Sequence, residues 1–205
     1  MIPFGFKLGY LVFVAVLVPV YAVEHGWMNF LWLSNVALLG GLLAAWLESR
    51  RLAGMMAVAV VLLETGWIVD FLASLVLAEP APLGAVSYMF DPEIPLFVRL
   101  LSLYHLPLPL ALVWMVWRLG YDPQAWKWWV VTGWGILLLS FLLARPDASV
   151  NWVLGPGAEV QDWMHPWLWL GLVTLLCTLA WWLTHRLLLA LMGHLGRVAR
   201  AGVAG

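Results

Sequence analysis

Residues 94 to 118 read IPLFVRLLSLYHLPLPLALVWMVWR, an apolar run carrying an arginine at position 99, a histidine at 105 and prolines at 107 and 109. A helix crossing a bilayer needs about 20 mostly apolar residues, and this stretch is long enough. Its prolines cannot donate backbone hydrogen bonds, so the carbonyls of Leu103 and His105 lose their helical partners and the helix is expected to kink or open there. Open backbone at membrane depth survives only where it is buried in protein or lines a wet cavity. The stretch predicts a membrane helix with an ionisable ring at its own break.

The rest of the chain follows the same pattern. Hydrophobic residues make up 64% of its 205 positions and charged residues 10%, a composition from which no water-soluble surface can be built. Apolar runs fall at about 6 to 24, 27 to 47, 53 to 78, 94 to 118, 126 to 145 and 166 to 190. They predict an all-α polytopic bundle of six transmembrane helices, with residues 1 to 205 forming a single membrane domain. The 16 tryptophans gather at segment ends, as in WKWW (126 to 129) and WLWL (167 to 170), where an interfacial belt belongs. The two halves share no pattern beyond hydrophobicity, which weakens an inverted-repeat transporter.

Charge placement sets the expected orientation. Lys7, Arg50, Arg51, Arg118, Lys127, Arg186, Arg197 and Arg200 mark one side. The loops on the other side hold only acidic residues, among them Glu24, Glu79, Asp91, Glu93, Asp147, Glu159 and Asp162. The positive-inside rule then puts both termini in the cytoplasm. Residues 8 to 22, ending in VYA, also fit a secretory leader; a retained first helix is the favoured reading. With 10 basic and 11 acidic residues, the net charge of −1 gives no basis for a nucleic-acid partner.

Ionisable groups inside a span are costly and normally face the bundle interior, which makes each a functional candidate. At ~1.5 Å per residue, Ser34 and Asn35 lie roughly 10 to 12 Å below the outer interface, Glu64 roughly 13 Å and His105 roughly 16 Å. Asp70 and Arg99 share a shallower layer, where they are expected to form an interhelical ion pair or a charged entrance. Each deep group also has a plain structural role open to it: a protonated carboxyl for Glu64, a packing ring for His105, interhelical hydrogen bonding for Ser34 and Asn35. Their matching depth supports a different combination: a serine nucleophile, a histidine base and a carboxylate or amide that orients the ring.

Metal and haem sites lack support. Of the five histidines, His25 and His165 fall at the outer rim, His185 and His194 toward the cytoplasmic end, and only His105 at mid-membrane. None pairs with another at ligand spacing. The one cysteine, Cys177, excludes a disulfide framework. No cofactor is expected.

NFLWLSNVALL (29 to 39), LSLYH and WRLGYD on the fourth segment, and NWVLGPG (151 to 157) together resemble a bacterial group of six-span membrane-associated proteins. More remotely the chain resembles the androgen-induced-gene family of intramembrane fatty-acid-ester hydrolases, and the transmembrane acyltransferases that act on ether phospholipids. The likeness covers most of the chain in topology but only a few residues in motif. It implies a nucleophile on the second span and a histidine on a later one. The Cys-Asp pair of the acyltransferase type falls on Ser34 and Asn35, its histidine on His105, and its asparagine and glycine turn on Asn151 and Gly155. Serine in place of cysteine needs a stronger base, and Asn35 in place of aspartate removes a charge that would orient the histidine. Glu64 is the acid at hand. The threonine of the hydrolase type does not align with Ser34.

These observations point to an intramembrane lipid-ester hydrolase or acyltransferase of a bacterial inner membrane, with membrane lipids as partners and a Ser34/His105 dyad. The alternative is a non-enzymatic scaffold or accessory subunit that docks on a membrane protein partner through its tryptophan-rich rims. A proton-coupled transporter relaying through Glu64 and His105 is a third reading.

Overall fold

The computed structural model describes residues 1–77, 84–145, 149–157 and 160–196, and these are helical with no strand among them. In chain order, α1 spans Phe4–Glu24, α2 Leu33–Leu47, α3 Arg50–Leu77, α4 Leu96–Leu101, α5 Pro107–Leu119, α6 Ala125–Leu143 and α7 Pro166–His194. Short 3-10 turns cover Trp27–Leu31, Ser87–Met89 and Ser102–His105. The stretches Phe4–Glu24, Arg50–Leu77, Leu96–Leu119, Ala125–Leu143 and Pro166–His194 are each long and apolar enough to cross a membrane, and Leu33–Leu47 is a shorter apolar helix. Their side chains suit lipid as solvent: Leu110, Val131, Leu142 and Leu168 point outward and are exposed.

Two expected segments depart from a plain helix. The run from 27 to 47 becomes a 3-10 turn followed by α2, because Gly26 takes a positive φ of 72°, open to glycine at no steric cost, and the chain must re-enter before α2 can start. The run from 94 to 118 divides into α4, a 3-10 turn and α5, with Pro107 at the first position of α5. A proline is tolerated there because that N–H has no helical partner to lose. Glu79, Asp147, Glu159, Arg197 and Arg200 lie outside the described residues.

α3 is the centre of the bundle and packs on α2, α5, α6 and α7. Small buried residues on it, Ala53, Gly54, Ala57 and Ala59, let the neighbours approach closely. A similar approach joins α6 to α7, where the Trp181 indole lies over Gly133 so tightly that a Cβ would collide with it. The Trp181 Nε1–H donates to the Ala59 carbonyl at 3.1 Å, tying α7 to α3.

Loop ends divide by chemistry. At the end marked by Arg51, Lys7 pairs with Glu48 at 2.7 Å and Arg51 with Asp122 at 2.9 Å, while Arg118 Nη2 donates to the Met1 carbonyl at 2.8 Å. Glu48 ends α2 in the left-handed region and also accepts the Ile2 N–H at 3.2 Å. At the opposite end, marked by His25, the amide side chains of Asn151 and Gln161 hold loop backbone, together with Asp70 and Arg99.

Candidate functional site

The break in the fourth apolar run builds the site. Pro107 has no N–H for the Leu103 carbonyl, and the Leu106 N–H takes that acceptor at 3.0 Å instead. The tightened turn satisfies one of the two carbonyls that the prolines orphan. It also sets Ser102, Tyr104 and His105, all buried, against α1, α2 and α3.

His105 Nδ1 lies 2.6 Å from Glu64 Oε2, and the two residues are only 9% and 5% exposed. With Glu64 ionised, Nδ1 carries the proton and Nε2 keeps its lone pair; with the ring protonated, the contact is a buried ion pair. Two aromatic rings fix the imidazole plane: Trp67 stacks on it with centroids 4.6 Å apart, and Tyr104 with centroids 4.2 Å apart. Trp67 follows Glu64 by three residues and so shares its helix face.

A hydrogen-bonded chain leads away from this pair toward α2. The Tyr104 hydroxyl donates to Asn35 Oδ1 at 2.9 Å, and Asn35 Nδ2 donates to the Asn29 carbonyl at 2.8 Å. Ser34 adjoins Asn35 at the start of α2. It therefore stands beside the residue that accepts from Tyr104, the ring stacked on His105. On the other flank, the Tyr21 and Ser102 hydroxyls lie 2.5 Å apart, and Trp67 Nε1–H donates to the Tyr88 hydroxyl at 3.2 Å. Burial pushes the Tyr88 phenol well above its ordinary pKa, keeping it a neutral donor.

Tyr21, Trp67, Tyr88, Ser102 and Tyr104 were not singled out by sequence reasoning. Tyr104 and Trp67 had a usable signal, since one adjoins His105 and the other sits a turn from Glu64. Nothing in the sequence placed Tyr21 or Tyr88 here, because their contacts depend on how α1 and the loop before α4 pack.

Asp70 and Arg99 both hold the loop before α4. Asp70 Oδ2 accepts the Ala85 N–H at 2.8 Å, and Arg99 Nη1 donates to the Met89 carbonyl at 3.2 Å, while the buried Arg99 Nε finds no partner among the described residues. Asn151 is a clamp. Its Oδ1 accepts the Leu33 N–H at 3.0 Å, and its Nδ2 donates to the Leu31 carbonyl at 2.8 Å and to Ser140 Oγ at 3.1 Å. It thereby caps α2 from outside and fixes the start of the helix that carries Ser34 and Asn35. Asn151 and Trp152 both take positive φ, and Gly155 closes the turn by donating to the Trp152 carbonyl at 3.3 Å.

A second polar contact lies toward the Arg51 end, where the Tyr121 hydroxyl and His185 Nδ1 are 2.7 Å apart and Trp126 stacks on the imidazole. Among the described residues no group of three or more His, Cys, Asp and Glu side chains converges to hold a metal ion. Comparison with protein-family models, with curated proteins and with solved structures gives no match to this chain.

Proposed function

We propose that the chain is a six-span protein of a cell membrane with both termini cytoplasmic, and that it is an intramembrane lipid-ester hydrolase or acyltransferase. The orientation rests on the arginines and lysines gathered at the Arg51 end. The 15-residue α2 covers about 22 Å at 1.5 Å per residue, and the turn Trp27–Leu31 completes the second crossing.

One observation carries the chemical reading: a buried carboxylate oxygen 2.6 Å from Nδ1 of a ring whose plane is fixed by stacking. That is the arrangement of a general base with its orienting group. In the proposed reaction Ser34 Oγ attacks the ester carbonyl while His105 Nε2 takes the serine proton. The Ser34 and Asn35 N–H groups at the start of α2 face the developing oxyanion, where the helix dipole favours negative charge. Collapse of the tetrahedral intermediate breaks the ester C–O bond, and the leaving alkoxide takes the proton from His105. Water then releases the acyl group in hydrolysis, or a second lipid hydroxyl in transfer. Acyl chains lie against the outward apolar helix faces.

A fluorophosphonate probe tests this on purified protein. Wild type should be labelled, Ser34→Ala should not, and His105→Phe should lose labelling at least ~100-fold, the usual contribution of a general base. Labelling that persists in Ser34→Ala, or no labelling and no ester turnover in wild type, overturns the reading.

A scaffold or accessory-subunit role is favoured by one feature, the exposed indoles of Trp27, Trp163 and Trp167 at the His25 end. It predicts a stoichiometric membrane protein partner on co-purification. It also predicts that Ser34→Ala leaves the biological output unchanged.

A further inference from the structure

Beyond the end of α1 the chain turns at Gly26, and the loop at 149–150 comes back over that turn. Between them lies a cavity of about 330 Å³ walled by Glu24, His25, Asn29, Trp32 and Ser149, among others. Its size is that of a small-molecule site. Two buried polar atoms of its wall residues have no hydrogen-bond partner among the described residues: Asn29 Nδ2, a donor, and Ser149 Oγ, both donor and acceptor. Buried polar atoms are rarely left so.

The charge of this cavity is one-sided. Glu24 supplies a carboxylate, and no lysine or arginine lines the wall. Burial lowers the pKa of His25, against the opposing pull of Glu24, so its imidazole is neutral at pH 7. A cation therefore meets an acceptor and an indole here, and an anion meets a carboxylate. We propose that the cavity binds an alkylammonium group, carried either by a phospholipid headgroup or by a free amine, with Glu24 as counter-ion and Trp32 as aromatic wall. Asn29 and Ser149 meet the oxygens that accompany such a group, a phosphate or a hydroxyl. The site is separate from the His105 cluster but joined to it, because the Asn29 carbonyl holds Asn35 Nδ2. The inference does not rest on catalysis, since binding is read without turnover.

The test is native mass spectrometry of the full chain in detergent, titrated with dihexanoyl phosphatidylethanolamine, dihexanoyl phosphatidylglycerol or ethanolamine. Wild type should retain the ethanolamine lipid about tenfold more tightly than the glycerol lipid, and Glu24→Gln should remove that preference. Glu24 makes no hydrogen bond to another described residue, so this variant leaves the packing intact; Trp32→Leu should weaken ammonium binding about threefold or more. Displacement of the lipid by ethanolamine alone assigns the site to a free amine. Retention against excess ethanolamine assigns it to a headgroup. Equal retention of both lipids with no binding of ethanolamine, or an unchanged preference in Glu24→Gln, overturns the proposal.

Discussion

Replacing Glu64 by leucine removes the acceptor on His105 Nδ1, 2.6 Å away. The ring is 9% exposed and held between packed residues, so water cannot substitute without opening the core. Breaking a buried charged pair by deleting one member costs ~3–5 kcal/mol. Interhelical polar contacts in membranes are worth less than their soluble counterparts, because the unfolded state in detergent or lipid also finds partners. The lower end, ~3 kcal/mol, is therefore the expected loss, and in a chain of this length it lowers the unfolding midpoint by ~6–12 °C. Glu64→Gln keeps an oxygen for Nδ1–H and should cost only about 1 kcal/mol. In the double variant Glu64→Leu/His105→Phe a phenyl ring still stacks between Trp67 and Tyr104 and no polar atom is stranded. Most of the loss should return, with a coupling of ~2 kcal/mol. A thermal ramp with a thiol-reactive dye reads all of this, since Cys177 is a single, partly buried thiol on α7. A shift under ~2 °C for Glu64→Leu, or strict additivity in the double variant, would refute a coupled buried pair and with it the basis of the proposed base.

Two further outcomes follow from other contacts. Asn151→Ala removes three hydrogen bonds, one to the first residue of α2, one to the turn before it and one to α6, and should cost ~2–3 kcal/mol, read in the same ramp; Asn151→Asp, which keeps the acceptor for the Leu33 N–H, should cost less. Glu48 has its pKa lowered below the ordinary 4.5, first by its hydrogen bond from Lys7. Its folded form therefore binds its proton less readily than the unfolded form, so the contribution of this clasp is complete above pH 4.5 and fades as pH falls through the lowered value. Unfolding followed against pH should show that acid-side loss in wild type and less of it in Glu48→Gln.

Hydropathy alone made the apolar helices legible, because lipid leaves a helix as the natural way to satisfy a crossing backbone. The start of α2 was less legible. The residues from Trp27 to Trp32 are as apolar as those that follow, and what separates them is the positive φ of Gly26 together with the amide of Asn151, more than a hundred positions away. The proline break at 107 and 109 was readable from local chemistry, and so was the level of Glu64 with respect to His105, since rise per residue fixes both. That Tyr104 both stacks on His105 and reaches Asn35 was not readable, since it depends on the rotation of one helix about its axis. The roles of Asp70 and Arg99 in holding a loop were hidden for the same reason: like depth on two helices does not tell which groups turn toward each other.

The interruption at Ser102–His105 also has a mechanical meaning. The segment before it is moored at the His25 end by Arg99, which donates to the Met89 carbonyl. The segment after it is moored at the Arg51 end, by Arg118 to the Met1 carbonyl. A rod fastened at both ends and thinned in the middle bends at the thin point. If the run crosses a bilayer as proposed, a change in thickness that tilts a continuous helix as a whole would instead deflect this one at His105, the ring paired with Glu64.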